Sequence, residues 1–267
     1  MKDIIAAFIF FTRIPLWRIC KLPSDSFRRI VTYWPLTGLI TAVMMTTAYL
    51  LAVYLGFHAL TAVLLAFISR LLLTGALHED GLADFFDGFG GGHSRDQVLT
   101  IMKDSHIGTY GVLGLVLYVL LWICSMFMLM QQFKGHEFII FFVCDVWSKW
   151  CASQITNILP YARKEEDSKI KNIYDRMSPT RFAFGLLIGI IPFAYILGQM
   201  YYETGSTYFD YSLLFIVGAI APVLTMLLLI LYMKRRIRGY TGDCCGATFL
   251  LCELSYLLTL NCLWKFF

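Results

Sequence analysis

Apolar residues fall along this chain in long blocks rather than at the two-residue or 3.6-residue spacing of half-buried soluble elements. Seven blocks approach the roughly 20 residues that carry a helix across a hydrocarbon core of about 30 Å at 1.5 Å per residue. They lie near 32–55, 58–77, 108–130, 138–158, 182–201, 211–233 and 247–264. The pattern therefore predicts an all-α, multi-pass integral membrane bundle of about seven helices, read as a single domain over 1–267. The second and fourth blocks contain Arg70 and Lys149, which should face the bundle interior or snorkel to an interface rather than meet lipid.

Polar residues between the blocks orient the bundle. Of the 22 Lys and Arg, all but Arg70, Lys149, Lys134 and Lys265 fall in the N-terminal segment or in the loops 78–107, 159–181 and 234–246. Basic residues in short loops are retained on the cytoplasmic side, so the N-terminus and these three loops are expected inside, in a cytoplasmic (inner) membrane. The outer connections, around Gly56, from Gln131 to Glu137 and from Tyr202 to Asp210, are short. The opening MKDIIAAFIF does not read as a signal peptide, because its apolar run is short, Arg13 follows closely and no small-x-small cleavage site precedes Pro15. It reads as an interfacial amphipathic segment.

Composition agrees: 58% of residues are hydrophobic and 15% charged, against about a quarter charged in soluble domains. The eight cysteines include no Cys-x-x-Cys pair and sit mostly in apolar runs, so neither zinc nor a disulfide frame is indicated. The formal net charge of +4 gives no reason to invoke nucleic acid.

Candidate chemistry concentrates in HEDGLADFFDGFGGG at 78–92. If the segment is helical, Asp80, Asp84 and Asp87 stand at i, i+4 and i+7 and share a face within about 60° of rotation. A bare acidic run would be a solvated helix end, but these acids are set among Leu82, Ala83, Phe85 and Phe86. Glu79, Asp80, Asp84 and Asp87 are then candidate ligands for a hard divalent cation, Mg²⁺ above all. Gly88, Gly90, Gly91 and Gly92 read as a turn whose N–H groups approach phosphate, with Lys103 and Asp104 able to close over it. His78, His93 and His106 read as incidental. In the remaining inner loops, Arg163 offers a guanidinium fork for phosphate, and Asp243 stands at the mouth of the last block, where a carboxylate needs a metal or a hydroxyl partner.

Five segments, in register over nearly the whole chain, resemble the cobalamin synthase (adenosylcobinamide-GDP ribazoletransferase) family: FFTRIPLW at 10–17, LHEDGLADFFDGFGGG at 77–92, IMKDSHIGTYG at 101–111, LPYAR at 159–163 and GYTGDCCGA at 239–247. The resemblance implies a Mg²⁺-dependent transferase. The 5′-hydroxyl of α-ribazole, or its 5′-phosphate, would attack the cobinamide-linked phosphorus of adenosylcobinamide-GDP, and GMP would leave. In that scheme Glu79, Asp80, Asp84 and Asp87 hold Mg²⁺, Asp87 or Asp243 takes the proton and Arg163 stabilises phosphate charge. Three departures stand out: His106 where many relatives have Arg, Arg238 where glycine is common, and Cys244–Cys245 where Thr or Ala and Leu are usual.

Two other readings are weaker. Asp84-x-x-Asp87-Gly88 echoes the start of the CDP-alcohol phosphotransferase motif, but position 92 is Gly rather than Arg and the later paired aspartates are missing. An ion or solute transporter would be expected to show inverted repeats and mid-membrane breaks. The number of protomers is not fixed by the sequence, a homo-oligomer included.

Overall fold

In a computed structural model, the chain is described over residues 1–133, 136–163, 174–202 and 206–266. Lys134, Lys164, Lys169 and Lys171, counted in the charge asymmetry above, lie outside the described residues, as do 203–205 of the last outer connection.

The described elements are helical. They are α1 (Lys2–Phe11), α2 (Trp34–Tyr54, continuing a 3₁₀ segment from Ser24), α3 (Ala59–Thr74), α4 (Leu77–Gly91), α5 (Arg95–Ile101) and α6 (Thr109–Gln132). There follow α7 (Glu137–Ser153), the single turn α8 (Ile155–Ile158), α9 (Pro179–Tyr202), α10 (Ser206–Gly218), α11 (Ile220–Arg236) and α12 (Gly242–Leu263). Six stretches are long and apolar enough to cross a membrane. The second predicted span is corrected by the structure: α3 has 16 residues, about 24 Å at 1.5 Å per residue. It reaches spanning length only together with α4, from which it is bent by 91°.

Two successive left-handed residues make that bend. Gly75 has φ 69° and ψ 29°, and Ala76 has φ 57° and ψ 23°, so the helix cannot continue in its own direction. The N–H groups of both close onto Leu71 O. The Arg13 side chain occupies the space where a Cβ of residue 75 would sit, and Arg13 N–H donates to Leu73 O at 2.6 Å. The segment after α1 is thereby fastened to the bend, and α4 runs off as a separate short helix.

The bundle's interior is built by α2 on α3 and α7, and by α12 along α4. Leu113, Val116, Leu117 and Leu120 on α6 and Leu224, Leu228 and Leu231 on α11 are exposed. Rows of this kind suit lipid, since a helix satisfies its backbone internally and needs no water. α7 is different, with 78% of its spanning window buried in protein. That burial explains how it carries Asp145 and Lys149, both fully buried, as an i,i+4 ion pair. Lys149 also donates to Thr41 Oγ1 on α2 at 3.0 Å.

Arg70 on α3 is likewise fully buried. Its guanidinium donates to both oxygens of Glu253 at 2.8 Å, to Tyr118 Oη at 2.9 Å and to Glu79 Oε1 at 3.2 Å, and Tyr118 Oη donates to Glu253 Oε2 at 2.8 Å. The faces of Phe67 and Trp122 lie 5.0 and 5.3 Å from its charge. This group ties α3, α4, α6 and α12 together where no water competes.

Candidate active site at the crossing of two helices

Where α4 crosses the start of α12, the two backbones nearly touch: a methyl group at Gly81 would lie 3.0 Å from the Asp243 backbone. Thr241 caps α12, its Oγ1 accepting from Cys244 N at 3.4 Å, and Asp243 stands in the first turn, where the helix dipole favours negative charge. The turn before it is held by the 159–163 loop. Ala162 N–H donates to Tyr240 O at 2.8 Å and Tyr240 N–H to Pro160 O at 3.0 Å. Two segments far apart in sequence are thus fixed beside α4. Arg238 in this turn has φ 57°, the left-handed region in which glycine is unstrained.

Two cavities meet at Asp80. The smaller is lined by Phe10, Phe11, Val31, Trp34, His78 and Tyr174, with Asp80 and Asp243 also on its wall. The other, an open cleft of about 520 Å³, is lined by Arg13, Gly75, Glu79, Asp80, Ala83 and Ile107 among others. Phe10, Leu77 and Asp80 belong to both. Desolvation, then the nearby Cys245, pushes the Tyr174 phenol well above its ordinary value.

The four acids of α4 do not act as one cluster. The helix is as expected, Leu77–Gly91, but its faces meet different neighbours. Glu79, expected as a metal ligand, also belongs to the ion network, its Oε1 accepting from Arg70. Asp87, expected as a ligand or base, also caps a helix: its carboxylate accepts Gly108 N–H at 2.7 Å and Gly111 N–H at 2.8 Å, holding the start of α6. The Asp87→Ala variant should lose about 2–3 kcal/mol of stability, the value of hydrogen bonds to a charged group. A lowered melting temperature in detergent checks this, and an unchanged one would show that the cap contributes no stability. Asp84 is half-buried on the same helix.

The glycine turn is also corrected. Gly88, Gly90 and Gly91 are inside α4, and Gly92 follows in extended conformation. Side chains at 88, 90 and 92 would collide with Met102, Tyr110 and Val98, so three of these glycines let α5 and the start of α6 pack closely. The carbonyls of Phe89 and Gly92 receive Arg236 from α11, a cation at a helix C-terminus.

Arg163 and Lys103 are brought together, but in a third groove, with Arg95, Asp96, Leu99 and Thr100; Arg163 Nη2 donates to Leu99 O at 3.3 Å. Neither lines the cavities that Asp80 lines. Asp104 is exposed and accepts from His106, N–H at 3.0 Å and ring Nδ1 at 2.7 Å; these bonds, the backbone one foremost, lower its pKa. Sequence reasoning missed Arg13 and His78. Arg13 was present in FFTRIPLW, yet its place on the cleft that Asp80 also lines depends on the bend at Gly75. His78 was dismissed because nothing in its neighbours along the chain shows that α2 and α12 enclose it.

Among the described residues, no three His, Cys, Asp or Glu side chains gather as a metal-holding group. Mg²⁺ does not require one, because it is commonly held by one or two carboxylates plus substrate phosphates and water. Asp80 and Asp243 on one cavity wall fit that mode.

A family model described as cobalamin-5-phosphate synthase matches residues 3–261. The chain belongs to that family. Its similarity to curated members is spread over the whole length. Adenosylcobinamide-GDP ribazoletransferase of Leptospira interrogans is 31% identical over 266 residues, 97% of this chain and 95% of the relative. The enzymes of the same name from Pseudoalteromonas atlantica and Shewanella putrefaciens are 34% and 30% identical, covering 91% and 94% of this chain and 84% and 90% of theirs. No solved structure matches. As a member of the cobalamin-5-phosphate synthase family the chain is a membrane transferase of cobalamin biosynthesis, and the crossing of α4 and α12 unites two of the segments that carry the resemblance.

Proposed function

We propose that the chain joins α-ribazole, or its 5′-phosphate, to adenosylcobinamide-GDP and releases GMP, with Asp80 between the two substrates. The observation that carries this reading is the shared wall: one carboxylate borders both a small enclosed cavity and a large open cleft that also presents Arg13. The donor's diphosphate sits in the open cleft, where the Arg13 guanidinium balances its charge. The acceptor approaches from the small cavity with a free ribose hydroxyl, which its 5′-phosphate form also carries.

A bond forms from that oxygen to the cobinamide-linked phosphorus, and the bond from this phosphorus to the oxygen of GMP breaks. Asp243 takes the hydroxyl proton, and Asp80 would hold Mg²⁺ together with the substrate phosphates. The cation, when bound, neutralises charge developing on the phosphate oxygens. In this reading α4 lies at the cytoplasmic face of the inner membrane, the side to which the basic loops point.

Detergent-solubilised protein given both substrates and Mg²⁺ should release GMP in step with corrinoid product, and excess chelator should stop it. Release of GMP without a new corrinoid, or turnover of a CDP-alcohol donor instead, would overturn the proposal.

A further inference from the structure

The open cleft that Asp80 lines has two unlike walls. Arg13, Glu79 and Asp80 make one side charged, and Phe10, Ile107 and Leu115 make the other apolar. Ile107 follows the polar run from Lys103 to His106 and is 55% exposed. The next residue fixes its place, because Gly108 N–H donates to Asp87. The isoleucine side chain is thus held at the cleft instead of folding into the core.

The helices on either side of the cleft show what borders it. α3 and α6 are neighbours: the rings of Phe67 and Trp122 lie 4.9 Å apart, and Arg70 donates to Tyr118. These pairings run antiparallel, so Thr74 at the end of α3 comes level with the first turns of α6. Each helix carries an exposed apolar row, Leu65, Ile68 and Leu72 on α3 and Leu113, Val116 and Leu117 on α6, of the kind that suits a bilayer. The same two helix ends supply Thr74, Gly75, Ile107 and Leu115 to the cleft. The cleft therefore opens where two lipid-facing surfaces meet. A site for a small, fully water-soluble molecule has no need of such a border.

A ligand matched to this border is charged at one end and apolar at the other. The donor of the proposed reaction is such a molecule: its diphosphate is anionic, and its corrin ring has broad apolar faces edged by amides. The cleft, about 520 Å³, falls in the roughly 300–1,000 Å³ of small-ligand sites. It has room for the diphosphate with its nucleoside, and the macrocycle is left outside. We infer that the corrin ring rests on the apolar lip formed by Ile107 and Leu115, at the edge of the bilayer. The inference rests on the function proposed above and deepens it, since it makes Ile107 a specificity-determining residue for the donor that takes no part in the chemistry.

The Ile107→Asn variant should raise KM for adenosylcobinamide-GDP about tenfold, the scale of losing half the burial of an isoleucine side chain, and leave KM for α-ribazole unchanged. Ile107→Leu keeps the apolar volume and should keep the parent's KM for the donor. Because the side chain lies outside the core, both variants should melt in detergent as the parent does. Equal changes in both KM values, or no change in either, would overturn the inference.

Equilibrium dialysis without acceptor separates the corrin seat from the proposed reaction, because each half of the donor is its own probe. Adenosylcobinamide, which lacks the nucleotide, should bind the unaltered protein and bind Ile107→Asn about tenfold more weakly. GDP should bind both alike and weaken in Arg13→Gln. That result supports the seat even if no GMP is released. Adenosylcobinamide that fails to bind the unaltered protein, that binds Ile107→Asn as tightly, or that weakens there no more than GDP does removes the seat even if turnover is normal. So does density for a lipid chain over Ile107 in a nanodisc complex with the donor bound.

Discussion

An Asp80→Asn variant is expected to insert and fold as the parent does while losing turnover by a factor on the order of 10²–10³, the scale seen when one preorganised charge-stabilising group is removed from a reaction centre. Asp80 is exposed on α4, so the amide removes charge without opening a hole in the core. Its place on both cavity walls puts it between the two substrates in the proposed reaction. Asparagine keeps the shape and loses the negative charge by which, in the proposed mechanism, Asp80 would hold a cation. GMP release at saturating substrates, read beside a melting curve in detergent, checks the expectation. Wild-type turnover in the variant would remove Asp80 from the mechanism, and a fall in melting temperature matching the loss of activity would make its role architectural.

The Arg70→Met variant should act on stability instead. Removing one partner of a buried ionic group leaves Glu253 and Glu79 charged without compensation, which costs about 3–5 kcal/mol. The network joins four helices, so the bend between α3 and α4 loosens and Asp80 moves with it. Adding Glu253→Gln to Arg70→Met removes the stranded charge and should restore a large part of the loss. Melting temperatures of the two single variants and the double variant form the cycle that measures this coupling. Additive losses would show that Arg70 and Glu253 are stabilised separately.

Much of the architecture could be read from apolar block length alone, because lipid leaves a spanning segment no alternative to satisfying its backbone as a helix. Arg70 and Lys149 were anomalies in that reading, and the structure resolves them by enclosing both in ion networks whose partners, Glu253 and Asp145, also lie in apolar blocks. The error at 58–77 was a missed stop signal. Gly75 follows a helical run, the usual place for a left-handed cap, and Ala76 continues the turn against its own preference, which no local pattern reveals.

The acidic helix was legible as a helix but not as a division of labour. Spacing places Asp80, Asp84 and Asp87 on one face, yet it does not say that α6 begins opposite Asp87 or that Arg70 reaches Glu79. Those assignments depend on which helix ends arrive from elsewhere in the chain. The same holds for Gly88 and Gly90, whose missing side chains are filled by Met102 and Tyr110.

The most direct test of the account is the position of the donor in a cryo-EM structure of the protein with adenosylcobinamide-GDP and no acceptor. The donor's two phosphates are expected in the cleft between Arg13 and Asp80, facing Asp243. Phosphates held by Arg95, Lys103 and Arg163 in the third groove, with the Asp80 cleft unoccupied in that complex, would contradict it.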